Sequence, residues 1–202
     1  MIKFIFLSIF AYLFGSIPTA FLVGKIKKVD VREIGSRSIT HTNLARALGW
    51  RYGIISATLD VLKGAIPTLL AKSFLTNNWQ IALVAFLPTL GHDFPIFFKF
   101  KYGGRGVSTF FGASLALVGI KFFFPLFLVW ILLLFLTKIT GLTNLIFPWI
   151  FSAFLYFWYR LGFFPFEYFI FGILESTLIS FALRNNLKRL LEGKEHKTPF
   201  KF

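Results

Sequence analysis

Three polar clusters in an otherwise apolar chain carry the residue types that hold phosphate oxygens. The first is Arg32-Glu33-Ile34-Gly35-Ser36-Arg37-Ser38-Ile39-Thr40-His41-Thr42-Asn43-Leu44-Ala45-Arg46, which mixes hydroxyls, an amide and three arginines. Hydroxyls, backbone N–H groups and guanidinium forks are the donors such oxygens need. The second is Gly91-His92-Asp93-Phe94-Pro95 followed by Phe100-Lys101-Tyr102-Gly103-Gly104-Arg105-Gly106-Val107-Ser108-Thr109. A glycine-rich turn with a cation, opening a helix, lets backbone donors approach an anion closely. Its spacing is not that of a P-loop. The third is Asn185-Asn186-Leu187-Lys188-Arg189-Leu190-Leu191-Glu192-Gly193. Each has a plainer reading: a solvated basic loop, a tight connection with His92 as a cap, and an interfacial anchor.

The elements that position these clusters are membrane helices. Of 202 residues 56% are hydrophobic and 20% aromatic, thirty of them Phe, and only 15% are charged. A soluble domain of this size is about a quarter charged, so this chain lacks the polar surface to face water. The apolar content equally excludes disorder. With 22 Lys+Arg against 8 Asp+Glu, the formal charge is +14, which suits anionic headgroups or anionic substrates; nucleic acid is not expected. The absence of cysteine excludes disulfides, a thiol nucleophile and Cys-ligated metal. His41, His92 and His196 lie too far apart in sequence to suggest a metal site, so no metal and no cofactor is expected.

A spanning helix needs about 20 mostly apolar residues. Apolar runs cover 4–24, 52–71, 79–98, 107–120, 121–138, 142–159 and 161–183, which predicts about seven transmembrane helices. The run 107–120 is short and rich in small residues, as a helix packed inside a bundle would be. Seventeen lysines and arginines then fall on one side of the membrane and four on the other. The positive-inside rule places the N-terminus outside and the C-terminus in the cytoplasm, with all three polar clusters on the cytoplasmic side. A cleaved signal peptide over Met1–Ala20 is the competing reading, but the apolar run continues past it toward full spanning length. Nothing marks a second domain, so residues 1–202 read as a single all-α, polytopic membrane domain. Asp60 and Lys63 stand one turn apart inside a span, where each charge alone costs about 2.5–3.5 kcal/mol. Their spacing allows mutual pairing, which leaves structural neutralisation and function both open.

No H-x-x-x-x-D motif follows any histidine and no G-x-S-x-G elbow occurs, so a covalent acyl-enzyme has no evident nucleophile. At Gly15-Ser16-Ile17-Pro18-Thr19-Ala20, Val23-Gly24-Lys25, Asp60-Val61-Leu62-Lys63-Gly64-Ala65-Ile66-Pro67 and the three clusters, the sequence resembles the bacterial acyl-phosphate:glycerol-3-phosphate acyltransferases (PlsY type), as a divergent member. The likeness covers nearly the whole chain. It implies transfer of a fatty acyl group from acyl phosphate to the 1-hydroxyl of glycerol 3-phosphate, giving lysophosphatidic acid and phosphate. The implied partners are glycerol 3-phosphate, a long-chain acyl phosphate and membrane lipid, and the implied location is the bacterial cytoplasmic membrane. By position the resemblance assigns phosphate binding to Ser36, Thr42, Asn43 and Arg46, then to Gly103, Gly104 and Arg105, and to Lys188. It makes His92 and Asn186 the catalytic pair.

The motifs also depart from the family pattern. Two glycines of the first are Arg37 and Thr40 here, and its Asn and Ala are Ser38 and His41. In the second, Tyr102 is inserted and the usual lysine is Arg105. In the third, Ala182-Leu183 stands where Arg-His is usual. Glycine permits close backbone approach that Arg and Thr do not, so the alternative reading is a catalytically impaired relative that binds acyl phosphate or phospholipid in a regulatory or partner role. A small anionic-lipid transporter is a further rival, but the repeated halves common in transporters are absent from the sequence.

Overall fold

The computed structural model describes residues 1–35 and 38–195. Among them every regular element is a helix and no strand occurs. The ten α-helices are α1 (Ile2–Gly15), α2 (Thr19–Ile26), α3 (His41–Leu48), α4 (Trp50–Phe74), α5 (Asn78–Asp93), α6 (Val107–Val118), α7 (Ile120–Thr137), α8 (Thr140–Arg160), α9 (Phe166–Ala182) and α10 (Arg184–Leu191). A 3-10 turn over Ile96–Phe98 follows α5.

Each apolar run of the sequence is helical, as expected. Four helical stretches are long and apolar enough to cross a membrane: Trp50–Phe74, Asn78–Phe98, Ile120–Thr137 and Thr140–Arg160. Two more qualify as bent pairs, α1 with α2 at 43° and α9 with α10 at 61°. The remaining run forms α6, whose 12 residues extend about 18 Å at 1.5 Å per residue. That is short of the roughly 30 Å hydrocarbon core, so α6 needs neighbours on its flanks rather than lipid at both ends.

The chain divides into two compact units, Met1–Leu117 and Val118–Phe202. In the first, α1 packs along α5 and α4, while α2 and α3 pack on α4. The break between α1 and α2 follows from Pro18, which has no N–H to continue the helix. Ser16 turns its hydroxyl back onto the Tyr12 carbonyl at 2.8 Å, and the carbonyl of Ile17 accepts from the Thr19 N–H at 3.0 Å, a turn bond that leaves room for a second donor. Thr40 starts α3 as an N-cap, its hydroxyl accepting from the Asn43 N–H. The α5 helix stops at Phe94 because the residue before Pro95 is disfavoured in helical geometry.

The α4–α6 contact is made backbone to backbone. A Cβ placed on Gly112 would lie 1.8 Å from the Val61 carbonyl oxygen, and one on Gly64 would lie 1.9 Å from that of Thr109. Small residues permit such approach where lipid supplies no hydrophobic drive between helices. In the second unit α8 packs between α7 and α9, and α10 lies against α8 and α9. There Phe122 sits among Trp158, Phe163 and Phe164, with ring centroids 4.9–5.5 Å apart. Large side chains such as Leu132, Phe135 and Leu136 of α7 point outward, as they should in lipid.

Gly112→Ala tests the close contact. Alanine gains helix propensity of about 1 kcal/mol, but the clash with a backbone oxygen costs more, about 1–3 kcal/mol of overpacking. The melting temperature of the purified protein in detergent falls; an unchanged value would mean that α4 and α6 separate freely.

Candidate active site

The first unit holds a buried polar centre at the middle of α4. Asp60 is 1% exposed and Lys63 3%, and Lys63 Nζ lies 2.8 Å from Asp60 Oδ1. The same carboxylate oxygen accepts from Thr19 Oγ1 at 2.6 Å, and Ser56 Oγ stands 3.3 Å from that hydroxyl. Lys63 Nζ also donates to the Ile17 carbonyl at 2.8 Å, in the break between α1 and α2. Its third contact is His92 Nδ1 at 3.0 Å. From α3, His41 Nδ1 comes within 4.0 Å of Asp60 Oδ2 and 3.5 Å of Ser108 Oγ. Asp60 and Lys63 therefore pair as their spacing allowed, and they also tie three elements together.

His92 joins this centre to the glycine loop. Its side chain is 10% exposed, and its carbonyl accepts from the Gly104 N–H at 3.0 Å. A Cβ on Gly104 would fall 1.9 Å from His92 Nε2, so only glycine leaves room for the ring. A small, narrow cleft is lined here by Ser16, Thr19, Ile39, His92, Tyr102 and Gly104 among others. Beside it Asp93 is buried with both carboxylate oxygens lacking a hydrogen-bond partner among the described residues.

The first loop is organised from within. Asn43 is 0% exposed, and its Nδ2 lies within hydrogen-bond distance of the carbonyls of Val31 at 2.8 Å, Ile34 at 3.0 Å and Ser38 at 3.1 Å, so its two N–H groups are shared among three acceptors. Arg32 forks onto Asp30, with Nε 2.9 Å from Oδ1, and this hydrogen-bonded guanidinium holds the Asp30 carboxyl below the usual carboxylate range. The same guanidinium sits over the rings of Phe21, Phe98 and Tyr102 at 4.8, 5.5 and 5.9 Å. Tyr102, the inserted residue, thus ties the glycine loop to the first loop. Thr42 is half-buried and Arg46 exposed on α3, and Arg105 is half-buried, close enough to His41 to act on it electrostatically. Ser36 and Arg37 lie outside the described residues.

In the second unit Asn186 is buried, and its Nδ2 donates to Glu195 Oε1 at 2.7 Å. Arg189 Nε holds the other oxygen of Glu195 at 2.8 Å. Lys188 is exposed on α10. Among the expected residues, His92, Thr42, Asn43, Arg46, Gly103, Gly104 and Arg105 belong to the first unit, and Asn186 and Lys188 to the second. Thr19 and Asp93 stood inside stretches already singled out but were given no role of their own, and Ser56 and Glu195 were not anticipated.

The family model described as glycerol-3-phosphate acyltransferase matches residues 5–193. The chain belongs to this family. It is 39% identical to the glycerol-3-phosphate acyltransferase of Aquifex aeolicus over 196 residues, covering 96% of this chain and 99% of that one. The enzyme of that name from Thermus thermophilus is 38% identical over 189 residues, covering 93% and 91%. The crystal structure of PlsY (YgiH), an integral membrane glycerol 3-phosphate acyltransferase in its glycerol 3-phosphate form, superposes with a TM-score of 0.86 at 39% identity. That match covers 96% of this chain and 94% of the other. The lysophosphatidic acid form of PlsY superposes with a TM-score of 0.85. Like PlsY, this family member is an integral membrane protein.

Asn43→Ala removes the amide that three loop carbonyls share. Leaving buried acceptors unsatisfied costs about 1–3 kcal/mol, so the variant melts lower and residues 30–40 are cut faster in limited proteolysis. Wild-type cleavage rates would show that the loop holds its shape without the amide.

Proposed function

We propose that this chain transfers a fatty acyl group from a long-chain acyl phosphate to the 1-hydroxyl of glycerol 3-phosphate. The products are lysophosphatidic acid and inorganic phosphate. The observation that carries this reading is the full-length match to a family whose solved member bears glycerol 3-phosphate. It is supported by a pocket that brings hydroxyls, an imidazole and a glycine-rich turn together in the first unit.

Acyl phosphate is a mixed anhydride and already activated, so positioning and charge stabilisation suffice. The glycerol oxygen bonds to the acyl carbonyl carbon, the bond from that carbon to the phosphate oxygen breaks, and the departing phosphate takes the hydroxyl proton. No nucleophilic side chain is needed. In this reading Arg46, Arg105 and Lys188 supply cationic donors to phosphate, Ser36 and Thr42 hydroxyls, and Gly103 and Gly104 backbone N–H groups. The family resemblance assigns a catalytic role to His92 in the first unit and to Asn186 in the second. Asn43 serves by shaping the loop around the ligand, since its amide nitrogen is taken up by three carbonyls. The basic asymmetry of the loops supports an N-terminus outside the bacterial cytoplasmic membrane and an active site facing the cytoplasm.

The departures in the motifs have structural work in this chain. Thr40, in place of a glycine, caps α3, and Tyr102 seats Arg32. Both support an intact binding loop over the impaired reading.

Purified protein in lipid, given palmitoyl phosphate and radiolabelled glycerol 3-phosphate, forms lysophosphatidic acid and phosphate together, whereas acyl-CoA gives none. No product from folded protein would make the impaired relative the better reading. Arg46→Ala loses an arginine–phosphate fork of about 1.5–3 kcal/mol, which raises a substrate KM roughly ten- to hundredfold. Unchanged kinetics would remove Arg46 from the site.

A further inference from the structure

The ammonium of Lys63 has three N–H groups and no lone pair. It has three acceptors within reach: the Ile17 carbonyl at 2.8 Å, Asp60 Oδ1 at 2.8 Å and His92 Nδ1 at 3.0 Å. A group that can only donate forces Nδ1 to accept, so the ring proton must sit on Nε2. The competing arrangement has Nδ1–H donate to Asp60. The gap of 3.6 Å from Nδ1 to Asp60 Oδ1 is beyond hydrogen-bond length, and a proton on Nδ1 would point at the ammonium. Asp60 in turn is held toward Lys63 by Thr19.

Nε2 has no hydrogen-bond partner among the described residues, and it stands where Gly104 lacks a side chain. Both His92 and Gly104 line the pocket. We propose that Lys63, oriented by Asp60, is a positioning residue that fixes His92 as the Nε2–H tautomer, so that the imidazole meets a substrate phosphate oxygen as a donor and not as a base. The proposal rests on the acyl-transfer reading above for the identity of the anion; the tautomer itself does not. It gives the buried pair a role in the reaction: the charges set which way a neutral ring presents its proton. A donor at this place, beside the Gly104 backbone, suits either the phosphate of glycerol 3-phosphate or that of the acyl phosphate.

The test uses the full chain in lipid nanodiscs with 15N-labelled histidine. A long-range 1H–15N spectrum, with His92 assigned by its loss in His92→Gln, shows the Nε2–H pattern, and its Nε2–H signal shifts on adding glycerol 3-phosphate or inorganic phosphate. Asp60→Asn/Lys63→Met removes both charges together, so no lone ion is left buried, and its folding is checked by thermal melting. In that variant the His92 signals move to the Nδ1–H form or to a mixture, and a phosphate-substrate KM rises about tenfold. Separate saturation with glycerol 3-phosphate and with palmitoyl phosphate tells which phosphate the ring meets. An Nδ1–H tautomer in the wild type, or an unaltered tautomer in the double variant, overturns the proposal. A changed tautomer with unchanged kinetics overturns the positioning role and leaves the acyl-transfer reading intact. An inactive wild type with the Nε2–H tautomer does the reverse: it overturns that reading and not the tautomer assignment.

Discussion

An ammonium group in the middle of an apolar helix needs an acceptor for each of its protons, and Lys63 finds them on three different elements. One is the carboxylate a turn earlier in α4, one the Ile17 carbonyl in the break between α1 and α2, and one the ring at the end of α5. Removing one partner of such a pair typically costs about 3–5 kcal/mol, because the other charge is left buried alone. The break between α1 and α2, the position of α4 and the placement of His92 are thus mutually required. The glycine loop hangs on the last of these through the His92 carbonyl.

Two kinds of contact then hold the surroundings at that distance. Between α4 and α6 the glycines bring backbone against backbone, leaving no side chain to yield. In the loops the fixing is polar: Asn43 gathers three carbonyls, and Arg32 lies over three aromatic rings while forking onto Asp30. A site built this way is held in place by its own contacts, which is what the acyl transfer proposed above requires of it.

The helical segments were legible in the sequence because long apolar runs bounded by charge have few other solutions. The pairing of Asp60 with Lys63 was legible from one-turn spacing alone. Their reach to His92 was not, because it depends on where a proline break and a second helix end come to rest. The same limit applied to Asn43: residue type says it carries an amide, but only helix rotation shows that amide facing the loop's own carbonyls. Thr40 and Tyr102 read as losses against the family pattern, and a pattern cannot show that each acquires a structural contact. Glu195 was hidden as one acid in a basic tail, although it holds both Asn186 and Arg189.

The uncharged character of the Asn43 clamp has a consequence for how the protein meets salt. An amide bonded to carbonyls is nearly indifferent to ionic strength, whereas the pull of exposed arginines on a distant anion fades over a Debye length of about 8 Å at 0.15 M. Arg46 is held by no ion pair among the described residues, so its charge stays outside the loop's internal bonding. Raising salt therefore weakens the attraction of the exposed arginines for an anion while leaving the shape of the loop unchanged: encounter and architecture respond to different variables.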